Sequence, residues 1–449
     1  MGAVIESPSP QVPGKVLRRT ESLCPTCGRV CQARVVQRDR AVFLQRTCPL
    51  DGATEVRLSR DADWYHSLSA TLHDTRSPRL IHSPLRVEDP VRGVFVDVTS
   101  RCNLHCPNCL SNVQPGVPEQ APTLPALLES LRAMHPARPV VYLGGGEPTI
   151  RPDLPEWIRV LRAQGHAVKL LTNGLRLADI DYCRALQQAG VTWVCLQFDS
   201  LEEGHLARIR GRRGLSRARQ DALRNLSTLG MNVDLACMID RETNFHSLGD
   251  LVRLGLSTPG VRHVSLMPSR RIGRGRLTDS ESFLEDIDLV EALEDQTDGA
   301  VTRQDWLWFQ RITSAIYRLT GRADWKPRRC FLALPLVGEA RRFAPWTRPW
   351  KFAFDTQDVE AVLRTALHRG PVEEARWSER TLLLSIESFW EPENIDLLEA
   401  SRCNRYYLVD GTLRQACIYN VLNRPVREWP GVAQSSGSPR RMSEEIQTP

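Results

Sequence analysis

The chain is poor in lysine. Only four of its 59 basic residues are lysines (Lys15, Lys169, Lys326 and Lys351), and the other 55 are arginines. Arginine suits phosphate and nucleic-acid contacts. These arginines are spread over all 449 residues and interleaved with 53 acids, so the net charge is only +6. No basic stripe results, a GC-rich coding bias accounts for the imbalance, and no nucleic-acid partner is expected. Long apolar runs are missing too. No stretch reaches eighteen apolar residues, which excludes a transmembrane helix. The opening MGAVIESPSPQVPGK has no apolar core of a signal peptide. These absences predict a cytoplasmic protein with no membrane partner.

Cysteine is not scarce. There are 13, an odd and unevenly clustered set, which argues against a disulfide framework and for metal ligation. Groups stand at Cys24/Cys27/Cys31/Cys48, at Cys102/Cys106/Cys109 and at Cys403/Cys417, with Cys330 upstream of the last. Cys183, Cys195 and Cys237 sit within apolar patterns and read as small core residues.

Residues 1–20 and the tail 431–449 are Pro/Ser-rich or polar and read as disordered. Residues 21–60 form a small cysteine-bearing knuckle, 90–275 a core, and 276–425 a C-terminal extension. In the core, apolar runs predict strands over 94–99, 140–143, 167–171, 193–198, 232–238 and 263–266. Helices are expected over 124–134, 179–188, 215–229 and 247–255. Another follows Asp153, with Glu156 completing a capping box and Gly165 stopping it. Residues 281–320 look helical, and a hairpin is expected to turn at Asp410-Gly411. Six βα units predict an α/β fold with a parallel sheet and right-handed crossovers. Its chemistry should lie at the C-terminal ends of the strands. The unusual residues collect there: the cysteine loop, Gly144–Pro148, Asn173 and Asp199.

Cys102-Asn-Leu-His-Cys106-Pro-Asn-Cys109 is a C-x3-C-x2-C loop directly after a strand. Thiolates are the usual ligands of iron–sulfur clusters. Three of them on a four-iron cluster leave one iron open for substrate. S-adenosylmethionine (SAM) can chelate that iron through its amino and carboxylate groups, next to a source of one electron. The competing reading is a zinc site completed by His105, which would be strained inside one loop.

With Gly144-Gly145-Gly146-Glu147-Pro148 after the second strand, the sequence resembles the radical SAM superfamily. The resemblance implies a partial (β/α)6 TIM-like barrel. The cysteines hold the 4Fe-4S cluster, the glycine motif takes the amino group of SAM through backbone carbonyls, and Glu147 supports that loop. Glycine suits a place where a ligand must approach bare backbone. Asn173, Asp199 and the nearby Gln197 are candidates for the SAM ribose or the substrate, against ordinary turn chemistry. Arg210 and Arg274 are weaker candidates for the SAM carboxylate.

Cys24-Pro-Thr-Cys27 and Cys48-Pro-Leu-Asp51 nearly reproduce a zinc-ribbon or rubredoxin-like knuckle for a structural zinc or iron. Asp51 stands in the fourth position, and Cys31 competes for it. Cys330, Cys403 and Cys417 are candidates for an auxiliary 4Fe-4S cluster, against a reading as buried structural cysteines. The segments SLCPTCGRV…CPLDG, GGGEPTIRPDLPEWI and RCNRYYLVDG…ACIYNV resemble the group of archaeal tetraether lipid synthase and pterin methyltransferase-like enzymes.

The expectation is an enzyme that reduces SAM to a 5′-deoxyadenosyl radical and takes hydrogen from a small molecule. The cofactor carries the hard chemistry and the protein supplies position and exclusion of water. The leading substrate is an aminoglycoside-type sugar of antibiotic biosynthesis, undergoing dehydration, deoxygenation or epimerisation. The alternatives are carbon–carbon bond formation or methylation on a lipid or pterin, and a non-enzymatic zinc-ribbon nucleic-acid binder. An electron donor such as flavodoxin or ferredoxin, or a partner reductase, completes the expected set of partners.

Overall fold

A computed structural model describes residues 13–71, 91, 93–113, 119, 121–134, 138–275, 283–320, 327–348 and 381–424. The segments 1–12 and 431–449, expected to be disordered, lie outside the described residues. Residues 15–20 belong to a strand instead.

That strand opens a four-stranded antiparallel sheet in chain order: β1 (Lys15–Leu23), β2 (Val30–Arg38), β3 (Ala41–Cys48) and β4 (Gly52–Ser59). Alternation along β2 and β3 buries Ala33, Val35, Val42 and Leu44 against Ala62 and Tyr65 of helix α1 (Ala62–Thr71). The sheet is tied to the C-terminal segment by buried polar contacts. Thr20 Oγ1 donates to Asp396 (2.7 Å), Ser22 Oγ donates to the Ile395 carbonyl (2.6 Å), and Arg46 reaches Leu23 and Glu393 carbonyls.

The second sheet carries the core. Its strands are β5 (Gly93–Thr99), β6 (Val140–Gly145), β7 (Val168–Thr172), β8 (Trp193–Gln197), β9 (Val233–Ile239) and β10 (Val261–Pro268). To these are added β11 (Phe331–Glu339), β12 (Arg342–Pro345), β13 (Thr381–Glu387), β14 (Arg405–Val409) and β15 (Thr412–Gln415). The spatial order is β12-β11-β13-β10-β9-β8-β7-β6-β5-β14-β15. β5 to β10 are the six expected parallel strands, paired in sequence. β13 extends them in parallel beside β10, and β14 does so beside β5. Residues 276–425 thus lengthen the barrel wall at both ends.

Helices α2 (Leu124–Arg132), α3 (Leu154–Ala163), α4 (Ile180–Ala189), α5 (Glu203–Arg210), α6 (Leu215–Thr228) and α7 (Leu248–Ser257) form the crossovers. α5 is an addition to the sequence reading; only Leu206 and Ile209 give its short, Arg-rich span an apolar side. The capping box at Asp153 and Glu156 does not form. The Asp153 carboxylate accepts from Arg151 and from Trp157 Nε1 (3.1 Å) instead of a backbone N–H. Strand parity decides which residues meet the helices. Val94, Val141, Leu143, Val168, Leu170, Val194, Leu196, Val233 and Leu235 join one continuous core with α3, α4 and α6. Cys183 and Cys237 lie in that core, but Cys195, between Val194 and Leu196, faces the opposite side, into the barrel.

Candidate active site

The loop after β5 gathers three sulfurs. Cys106 is buried, while Cys102 and Cys109 are half-buried, packed with Leu104, Leu175, Leu206 and Leu215. The Leu104 N–H points at Cys102 Sγ (3.4 Å). Burial, with Glu147, Cys106 and Cys109 nearby, pushes the Cys102 thiol up to about 11. Burial likewise raises Cys106, against the pull of the Arg210 guanidinium. In the free chain these thiols therefore keep their protons, and a cluster would take them as thiolates.

The loop is clamped from the far side. Arg274 N–H donates to the Cys109 carbonyl (2.9 Å), and its Nε donates to the Cys106 carbonyl (3.0 Å). Gly273 is obligatory beside it: φ is +65°, and a Cβ would lie 2.1 Å from the Cys109 oxygen. Arg274 is therefore a clasp of the loop rather than a free partner for the SAM carboxylate. His105 Nδ1 lies 3.2 Å from Arg274 Nη1, on that outer side.

The Gly144–Pro148 turn meets the same loop by backbone. Gly146 N–H donates to the Thr99 carbonyl (2.7 Å) and Glu147 N–H to the Arg101 carbonyl (2.8 Å). A Cβ on Gly146 would sit 1.9 Å from the Arg101 oxygen. Glu147 is fully buried and accepts from Thr149 N–H (3.1 Å), Thr149 Oγ1 (2.6 Å), Thr172 Oγ1 (2.6 Å) and Asn173 N–H (2.7 Å). It joins the ends of β6 and β7. Asn173 in turn donates its amide to Asn103 Oδ1 (2.7 Å), inside the cysteine loop.

Asp199 and Gln197 are engaged internally. Arg210 grips Asp199 with Nε–Oδ2 at 2.7 Å and Nη2–Oδ1 at 2.5 Å. Arg219 adds a contact to Asp199 Oδ2 (3.3 Å) and donates to Gln197 Oε1 (2.8 Å), while Met238 N–H donates to Asp199 Oδ1 (3.0 Å). Burial alone would raise the Asp199 pKa, but Arg210 and Arg219 hold it below the usual range. The Arg210 guanidinium also acts electrostatically on the Cys106 thiol. The pair thus supports the cluster loop from the β8 side.

Sequence reasoning missed the barrel interior. Asp234 on β9 accepts from Lys169 Nζ on β7 and from Trp193 Nε1, and lies 3.4 Å from His263 Nδ1 on β10. His263 Nε2 is 2.7 Å from Ser385 Oγ on β13, which points to Glu387 (3.4 Å). Arg405 on β14 faces Glu387 and donates to the Tyr142 hydroxyl on β6 (3.0 Å), whose ring receives Lys169 (5.6 Å). The contacts close a ring around the lumen. Phe95, Tyr407 and Tyr419 stack in series on its β5–β14 wall, with centroids 5.2 and 4.7 Å apart. Lys169 was visible as one of only four lysines in an Arg-rich chain, which was the available signal.

In the small sheet, Cys24, Cys27, Cys48 and Asp51 converge with ligand atoms within 4.8 Å of one another. Cys24 and Cys48 sulfurs lie 3.2 and 3.3 Å from Asp51 Oδ2, and Cys27 and Cys48 are 3.6 Å apart. Thiol contacts from Cys27, Cys24 and Cys48 hold the Asp51 carboxylate below its usual range. Three thiols and one carboxylate fit a tetrahedral zinc. Cys31 packs beside them, but its ligand atom is not among the four that converge. At the C-terminal side, Cys403 Sγ lies 3.6 Å from the Arg405 carbonyl, and Cys330, Cys403 and Cys417 influence one another electrostatically. The Cys417 thiol, against burial and with help from Arg328, brings Cys403 down to about 6. These three do not converge closely enough to form a metal-ligand group with the same spacing.

Comparison with known proteins adds family evidence. Residues 96–254 match the radical SAM superfamily, and residues 16–60 match the HMPTM N-terminal zinc ribbon domain. The 7,8-dihydro-6-hydroxymethylpterin dimethyltransferase of Methanocaldococcus jannaschii is 29% identical over 310 residues, covering 64% of this chain and 60% of that protein. A PqqA peptide cyclase of Gluconobacter oxydans is 27% identical over 210 residues, covering 46% and 57%. The chain spans less than two thirds of each relative. Among solved structures, methylornithine synthase superposes with a TM-score of 0.38 at 14% identity, covering 70% of this chain and 89% of that one. Among the described residues no helix is long and apolar enough to cross a membrane.

Proposed function

From the match of residues 96–254 to the radical SAM superfamily, we propose that this chain is a radical SAM enzyme that removes hydrogen from a compact, polar, hydrogen-bonding substrate held in the barrel lumen. When bound, the 4Fe-4S cluster and SAM supply the 5′-deoxyadenosyl radical. The chain does the rest. Cys102, Cys106 and Cys109 would hold the cluster, with Arg210 and Arg274 fixing the loop. The Gly144–Pro148 backbone, stiffened by Glu147, would receive the methionine end of SAM, with Asn173 at its side. A one-electron donor such as flavodoxin or ferredoxin is required.

The observation that carries the substrate class is the polar ring of Tyr142, Lys169, Asp234, His263, Glu387 and Arg405. A long acyl chain in that lumen would strip water from charged groups and return no hydrogen bonds. A flat heterocycle offers both a face for the aromatic wall and edges for the carboxylates. The pterin name of the archaeal relative agrees with this, and the relatives named above lend no support to the aminoglycoside-type sugar or an antibiotic pathway. The test is anaerobic incubation of reconstituted enzyme with SAM, reductant and 7,8-dihydro-6-hydroxymethylpterin as probe. The proposal expects the probe to accelerate 5′-deoxyadenosine formation, and Glu387→Gln to abolish that acceleration. Acceleration by a fatty-acyl lipid and none by the pterin would contradict it.

A further inference from the structure

A second group of ligating side chains lies outside everything described above. Glu202 precedes α5, His205 lies in its first turn, and His246 comes from the segment between β9 and α7. Their ligand atoms all fall within 4.8 Å of one another. His205 Nε2 is 3.5 Å from Glu202 Oε2, and the two imidazole rings meet edge to face with centroids 5.2 Å apart.

Ser200 orients the group. Its hydroxyl oxygen accepts the Glu202 N–H (3.0 Å) and lies 3.0 Å from His205 Nδ1. With the imidazole proton on Nδ1, bonded to Ser200, the His205 Nε2 lone pair is aimed at a carboxylate oxygen. Two acceptors facing each other need a proton or a cation between them. A second imidazole converging on the same point adds a third acceptor and tips the balance toward a cation.

We propose that Glu202, His205 and His246 form a divalent-cation site of the zinc class, with its remaining position open to solvent. Two imidazoles and one carboxylate are a set that zinc accepts, whereas magnesium and calcium prefer oxygen alone. The hydrogen bond from the non-ligating nitrogen of His205 fixes the ligating one, as metal-bound histidines generally require.

The position gives the site a consequence. α5 ends in Arg210, whose guanidinium bonds Asp199 and acts electrostatically on Cys106, and the Gly211 that follows packs against His105 and Pro107 of the cysteine loop. The loop bearing His246 also carries Asn244, whose amide donates to the Asp199 carbonyl (2.8 Å). A bound cation ties these two segments together and steadies the Arg210 side of the cysteine loop.

The test uses the full chain with its cluster reconstituted, equilibrated with zinc and freed of loosely held metal by gel filtration. Zinc is counted in the wild type, in His205→Ala and in His246→Gln, the last at an exposed position where folding is not at stake. The Cys24/Cys27/Cys48/Asp51 zinc is common to all three proteins and serves as the internal standard. The wild type should hold one more zinc per chain than either variant. After cobalt loading, the difference spectrum between the wild type and either variant should show weak ligand-field bands without thiolate charge transfer, because the thiolate sites are common to all three. Equal zinc contents in all three proteins would overturn the site, as would a cobalt spectrum unchanged by both substitutions.

Discussion

Arg210 and Asp199 form a doubly hydrogen-bonded ion pair inside the barrel wall, and the same guanidinium acts electrostatically on the thiol of Cys106. The pair is almost fully shielded from water, with side-chain exposures of 3% and 0%. Removing one member of such a pair strands a buried charge and costs about 3–5 kcal/mol. Arg210→Ala should therefore lower thermal stability and reduce iron per chain after reconstitution. Arg210→Lys keeps the charge but loses the two-pronged grip, so it should fall between. Calorimetry and iron counting check both.

Gly146 and Gly273 set the clearance between the cysteine loop and its two supports. Methyl groups there would come within 1.9 and 2.1 Å of backbone oxygens, distances no side chain tolerates. Gly146→Ala and Gly273→Ala should keep their far-ultraviolet circular dichroism but bind less iron. The brown absorbance per chain after reconstitution reads the effect directly.

Asp51 completes the small-sheet site, and Cys31 stands beside it. Partners that merely orient a ligand are worth roughly 10–100-fold in metal affinity. Loss of Asp51 itself should cost at least that, whereas Cys31→Ala should leave zinc in place. Competition with a chromogenic chelator distinguishes the two variants.

Asp234 gives the barrel an acid limit. Burial opposes its charge, but His263 and Lys169 hold its pKa down to about 2 from 3.8. A depressed carboxylate contributes stability above its unfolded pKa and loses it as pH falls toward the folded value. The contribution is on the order of 2 kcal/mol, present at neutral pH and lost between about pH 4 and 2. Asp234→Asn should flatten that limb of the melting-temperature profile of the cluster-free chain.

Much of this was legible in the sequence because the signals were local. The apolar runs of β5 to β10, the C-x3-C-x2-C loop and the glycine turn each occupy a few consecutive residues. Asp410 and Gly411, both at positive φ, form the expected hairpin turn for the same reason. The lumen was not legible. Lys169, Asp234, His263 and Arg405 are single polar residues on four strands, and only barrel closure brings them together. β13 was missed because its alternation of apolar residues with Ser385 and Glu387 reads as surface until the interior is known to be polar, and the hairpin strand β14 was expected but not its place beside β5. Cys195 was misplaced by a parity that its apolar neighbours hid.

The most direct measurement is 5′-deoxyadenosine formed from SAM by the anaerobically reconstituted and reduced chain, beside the same chain carrying Cys102→Ala, Cys106→Ala and Cys109→Ala together. The account predicts steady formation by the wild type and none by the triple variant. Equal amounts from both would contradict it.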